Sequence, residues 1–84
     1  MRTFTIENFK SILEEIDIEI PGNFSQNSII DDDLSIDSQE IVELVCEIED
    51  EYNVSIEPGT IRRTDDVKTV VTKINNILKE DNNE

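Results

Sequence analysis

Apolar residues recur along this chain at three- and four-residue intervals in three separate stretches. The first is Ile6, Phe9, Ile12, Leu13 and Ile16, the spacing of one helix face. Thr3 or Thr5 stands where its cap would be. The second is Ile41, Leu44, Val45, Ile48 and Tyr52. Asp37 precedes it with Glu40 three residues on, a capping-box pattern, and Asn53 follows as a stop. The third is Val67, Val70, Val71, Ile74, Ile77 and Leu78, with Thr64 or Asp65 as its cap. Between the second and third stretches, Val54-Ser55-Ile56 reads as an extended link. Glu57-Pro58 then reads as the start of a short helical turn, because Pro suits the first helical position, and Gly59 keeps it short. Ahead of the second stretch lies a long connection from Asp17 to Ser35, broken by Pro21-Gly22. Phe24, Ile29, Ile30 and Leu34 are spaced along it as anchors onto a core. The polar tail from Lys79 to Glu84 is predicted to fray. The pattern predicts an all-α protein: a small four-helix bundle of three main helices plus a short third helix, with a long first loop, in one domain over residues 1–84.

Composition narrows what such a bundle can be. Of 84 residues, 36% are hydrophobic and 5% aromatic, with no Trp. The core is therefore aliphatic, and a stability of about a few kcal/mol is expected. The net charge of −14 would repel nucleic acid and anionic membranes and steer the chain toward partners with basic patches. No apolar stretch approaches a membrane span, and no apolar signal core follows Met1-Arg2-Thr3-Phe4. A cytoplasmic monomer without membrane insertion is the expectation. The single Cys46 excludes an internal disulfide framework and a cysteine-based zinc site. The absence of His removes the commonest general base and metal ligand. Asp31, Asp33, Ser35 and Asp37 alternate, but a calcium loop starting at Asp31 needs Gly at its sixth position and Glu at its twelfth. Ile36 and Val42 stand there, which rejects the calcium loop and assigns no residue to a metal, and leaves open loose cation association with the acidic clusters.

The chemistry concentrates at the second helix. Ser38 follows Asp37 at its start, where backbone N–H groups and the helix dipole favour a phosphate ester. Along that helix Glu40, Glu43, Glu47, Asp50 and Glu51 fall on one arc, while Gln39, Val42 and Cys46 fall on another, away from the core face. From Asp31 to Tyr52 no Lys or Arg interrupts the acid. An apolar Val and a Cys flanked by carboxylates, starting beside Ser38, make a strip that a basic partner would fit. An ordinary solvated helix face is the plainer reading of the same charges.

The run Asp33-Leu34-Ser35-Ile36-Asp37-Ser38, then Val42-Glu43-Leu44-Val45, then Ile48-Glu49-Asp50-Glu51-Tyr52 and Ile56 resembles the acyl carrier proteins, over most of the chain from the first helix to Leu78. The resemblance implies a carrier and not an enzyme. It implies 4′-phosphopantetheine attached to Ser38, beside Asp37, from coenzyme A by a separate phosphopantetheinyl transferase, with acyl groups held as thioesters on its thiol. Implied partners are an acyl-loading ligase or transferase and synthase enzymes with basic docking patches, met through Gln39, Val42, Glu43, Cys46 and Glu49. Three features depart from the common pattern: Gln39 where Leu is frequent, Ser35-Ile36 where Gly and a small residue are frequent, and the basic pair Arg62-Arg63 in the region of the third helix. They tilt the expectation from fatty acid synthesis toward a dedicated carrier in polyketide, lipopeptide or aminoacyl biosynthesis. The alternative is an acidic helical adaptor or inhibitor that binds a basic protein independently of Ser38.

Overall fold

The computed structural model describes residues 3–81 and contains three helices, α1 (Ile6–Glu15), α2 (Ser38–Tyr52) and α3 (Val67–Asp81). Each starts on a side-chain cap. Thr5 caps α1: its hydroxyl accepts from the Asn8 N–H at 3.1 Å, and the Asn8 side chain accepts from the Thr5 N–H at 3.0 Å. The helix ends where Asp17 turns left-handed at φ 62°, with the Ile18 N–H on the Leu13 carbonyl and the Asp17 N–H on the Glu14 carbonyl. That double closure places Ile18 back over Leu13, and both are buried. Asn53 ends α2 in the same left-handed conformation. The cap of α3 is Asp66, not Thr64 or Asp65: its Oδ1 accepts from the Thr69 N–H at 2.9 Å. Hydrogen bonds from the Thr69 hydroxyl and N–H, with nearby Lys68, hold the Asp66 carboxyl below the usual carboxylate range. Residues 79–81 continue α3 instead of fraying; the rest of the expected tail lies outside the described residues.

The short third helix is absent among the described residues. Pro58-Gly59 make one turn, closed by the Thr60 N–H on the Glu57 carbonyl at 3.2 Å. Gly59 sits at φ 85°, outside the helical region, so the helix-starting signal of Pro58 is cancelled one residue later. A single turn does not repay the cost of nucleation.

The core is almost wholly aliphatic, with Phe4 and Phe9 its buried aromatics. α1 packs against both α2 and α3, whereas α2 and α3 do not approach each other closely. The connections add to the same core: Ile30, Leu34 and Ile36 of the first and Ile56 and Ile61 of the second are buried in it. Of the expected anchors, Ile30 and Leu34 are buried and Phe24 and Ile29 half-buried; Ile18 and Ile36 are buried as well. A short antiparallel seam holds the first connection: Ile30 N–H to Asp65 O, Asp31 N–H to Arg63 O, Val67 N–H to Ser28 O and Lys68 N–H to Gln26 O, at 2.9–3.0 Å. Phe4 lies edge-on to Tyr52 and Phe9 at 5.4 and 6.3 Å. The Asn75 amide fastens its backbone, accepting from the Phe4 N–H at 2.7 Å and donating to the Phe4 carbonyl at 2.9 Å.

Candidate functional site

Ser38 is the first residue of α2 and is exposed. Its position is fixed from both sides. Two residues earlier, Ile36 is buried in the core and its N–H is held by the Ile30 carbonyl at 3.1 Å. Ser35, at φ 57°, turns the chain just before it. Asp37 is extended, and its carboxylate accepts from the Glu40 N–H at 2.8 Å while Glu40 accepts from the Asp37 N–H at 3.1 Å. The chain is thus nailed at Ile36 and capped at Asp37, and the next side chain projects into solvent at a defined place.

The capping box leaves a particular set of groups open. Asp37 takes the Glu40 N–H, and the Ile41 N–H bonds the Asp37 carbonyl. Among the described residues neither the N–H groups of Ser38 and Gln39 nor the Ser38 hydroxyl has a hydrogen-bond partner. Two unpaired amides beside a free hydroxyl, at the positive end of a helix dipole, suit a phosphate ester on that hydroxyl. The residues present therefore fit a phosphate ester such as phosphopantetheine.

Gln39, Val42, Glu43 and Cys46 all lie exposed along α2, and Val42 is 61% exposed. The strip expected outside the core is therefore open to solvent. Glu49 differs: it is half-buried, and its Oε2 accepts from the Ile56 N–H at 2.7 Å, fastening the chain after α2. Beside the strip runs an apolar groove of about 400 Å³, lined by Ile41, Val42, Val45 and Cys46 on α2 and by Pro58 and Ile61 opposite. On the other flank, carboxylate oxygens of Glu15, Glu47 and Glu51 gather within 4.8 Å of one another, a local concentration of the chain's like charge. The sequence pattern pointed to neither the groove nor the Glu49 contact, because both depend on where residues 53–66 fold back.

No protein-family model matches the chain, and no solved structure matches it. Curated relatives do. The acyl carrier protein of Zymomonas mobilis subsp. mobilis is 35% identical to it over 71 residues, covering 83% of this chain and 90% of that protein. The likeness thus covers most of both chains and is not confined to the Asp37-Ser38 neighbourhood, and on that ground this chain belongs to the acyl carrier protein family.

Proposed function

We propose that Ser38 is the attachment point of 4′-phosphopantetheine and that the chain delivers acyl groups to partner enzymes. Family membership makes it a carrier protein and not an enzyme. The observation that carries the Ser38 assignment is the exposed hydroxyl at the first position of α2, without a hydrogen-bond partner among the described residues and beside two open backbone N–H groups. When bound, the arm supplies a terminal thiol that holds an acyl group as a thioester. The chain's own residues do the rest. The Ser38 oxygen would form the phosphodiester as the pyrophosphate bond of coenzyme A breaks and adenosine 3′,5′-bisphosphate leaves, the hydroxyl proton passing to the transferase. Asp37 and Glu40 lock the turn that presents it. The first-turn N–H groups orient the phosphate. The apolar groove alongside α2 shelters the hydrocarbon part of the cargo.

Partners are a phosphopantetheinyl transferase, a loading ligase or transferase, and synthases whose basic faces meet Gln39, Val42, Glu43 and Cys46. Gln39, directly after the modified serine, and the exposed pair Arg62-Arg63 favour a dedicated carrier in a specialised cytoplasmic pathway over general fatty acid synthesis. The test is intact-mass analysis after incubation with coenzyme A and a broad-specificity phosphopantetheinyl transferase. The wild type is expected to gain one arm and Ser38→Ala none. A wild type that gains nothing while another carrier is converted overturns the assignment. Retention of a basic protein partner that is unaffected by Ser38→Ala would then favour an acidic adaptor.

A further inference from the structure

Acid outnumbers base in this chain, 21 Asp and Glu against 7 Lys and Arg, so a cation has carboxylates to choose from. Lys73 pairs with Asp65, Lys68 stands 4.0 Å from Asp66, and Lys10 lies over the Phe24 ring. Lys79 sits in the last turn of α3, against the negative end of the helix. Arg62 and Arg63 are different. Both side chains are exposed, and neither guanidinium has a hydrogen bond or ion pair among the described residues. Glu57 and Glu80 line the same polar cleft of about 540 Å³ as Arg62, yet neither comes within ion-pair distance of it. The Asp65 carboxylate is taken by the Lys73 ammonium at 2.7 Å and by the Arg62 backbone N–H at 3.0 Å. The two guanidinium groups therefore make no polar contact that holds the fold.

Their side chains are free, but their backbone is fixed. The Arg62 N–H donates to the Asp65 carboxylate and the Arg62 carbonyl accepts from the Asp65 N–H, each at 3.0 Å. The Arg63 carbonyl accepts from the Asp31 N–H at 3.0 Å. That last bond ties the pair to the end of the molecule that holds Ser38. Asp31 follows Ile30, whose carbonyl holds the Ile36 N–H at 3.1 Å, and Ile36 stands two residues before Ser38. Ile61, next to the pair, lines the apolar groove together with Ile41 and Val42 from the start of α2. The groove thus has two banks of opposite charge. Acidic α2 is one, and the chain that runs into Arg62-Arg63 is the other. A partner seated over Ser38 covers about 800 Å² of this chain, a footprint wide enough to take in both.

We propose that Arg62 and Arg63 form a second docking point, of opposite sign to α2, and that its occupant is a pair of carboxylates on the partner enzyme. A partner whose docking face is basic throughout matches α2 but brings like charge to Arg62-Arg63, and is disfavoured. A partner with basic residues toward α2 and two acids toward residues 62–63 is matched at both points. Two points of opposite sign also fix the partner's rotation over Ser38, which a field of one sign leaves loose. Exposed ion pairs are weak singly, so the pair acts on the choice between partners more than on affinity for any one of them. That the partner is an enzyme serving the arm rests on the carrier reading; the charge match does not.

Equilibrium binding of the full unmodified chain tests it. The probe is an acyltransferase of fatty acid synthesis whose docking face for its own carrier is mapped and basic. It is used in two forms, the parent and one in which the two basic residues that would face residues 62–63 are changed to Glu. The double variant Arg62→Glu, Arg63→Glu is expected to bind the parent about ten-fold more tightly than wild type does, and Arg62→Gln with Arg63→Gln should fall between. Wild type is expected to bind the Glu form about ten-fold more tightly than the parent, and the double Glu variant should lose that preference. Both differences should shrink with added salt. Lys79→Glu makes the same charge change as Arg63→Glu, about 18 Å along α3 from Val67, and should have the smaller effect. Equal effects of Lys79→Glu and Arg63→Glu would reduce the pair to net charge and overturn the proposal. A wild type that binds both forms of the probe alike, or binds neither, would overturn it too. No outcome bears on whether Ser38 takes the arm, which the mass measurement decides separately.

Discussion

The two connections that lead into α2 and α3 are of comparable irregularity but are held in different ways. Residues 17–36 bury Ile18, Ile30, Leu34 and Ile36 and pair backbone to backbone with residues 63–68. Residues 53–62 bury Ile56 and Ile61 and are fastened by the side chains of Glu49 and Lys73. The first is tied backbone to backbone; the second is tied by side chains that reach it from α2 and α3. The difference teaches that an irregular segment can be held either by its own backbone or by the helices that flank it.

The largest effect that would break this contrast is expected at Ile30, which is fully buried. Ile30→Ala should cost about 2–5 kcal/mol, a large share of the stability of a domain this small, read as a fall in the urea midpoint. Ile61→Ala should cost less, about 2 kcal/mol at the low end of that range, because the groove that Ile61 lines lets neighbours relax into the void. The reverse order would show that residues 53–62 carry as much of the core's stability as the first connection. Removing the cap at the junction of the long loop with α2, by Asp37→Ala, should cost about 1 kcal/mol.

Acid sharpens the comparison at the seam. The Asp66 carboxyl is held below its ordinary range when folded. Its contribution is therefore present above the ordinary carboxylate range and is lost as pH falls through the lowered folded value. Exchange of the Thr69 amide should accelerate in that acid window in wild type, and the Asp66-dependent part should vanish in Asp66→Asn. The smallest effect is expected away from both connections. Glu15→Lys puts a cation beside Glu47 and Glu51 and should stabilise by about 0.2–1 kcal/mol. The gain should shrink as added salt screens the net charge of −14, which thermal melts at two ionic strengths would show.

What was legible in the sequence was local. The Asp37–Glu40 capping box, the Asn53 stop and the three apolar faces depend on neighbours three or four residues away, and each is present. Val42 was placed outside the core by helix geometry alone and is exposed. The readings that failed, or were never made, depend on tertiary placement. The cap of α3 falls on Asp66 because Asp65 is drawn to Lys73. The contact of Glu49 with a backbone amide seven residues on, beside its reading as a partner-facing carboxylate, was never read. Asn75 meets Phe4 across almost the whole chain. Pro58 carried a helix-starting signal, and the conformation of Gly59 overrode it. The exposed place of Ser38 at the start of α2 was legible because it needs little more than the cap before it.

The most direct measurement is the mass of this protein purified from its native cells, with the modified peptide sequenced by fragmentation. A phosphopantetheine arm on Ser38 is expected, free or carrying an acyl group whose mass identifies the pathway. An unmodified chain, isolated from cells in which another acyl carrier protein bears its arm, would contradict it.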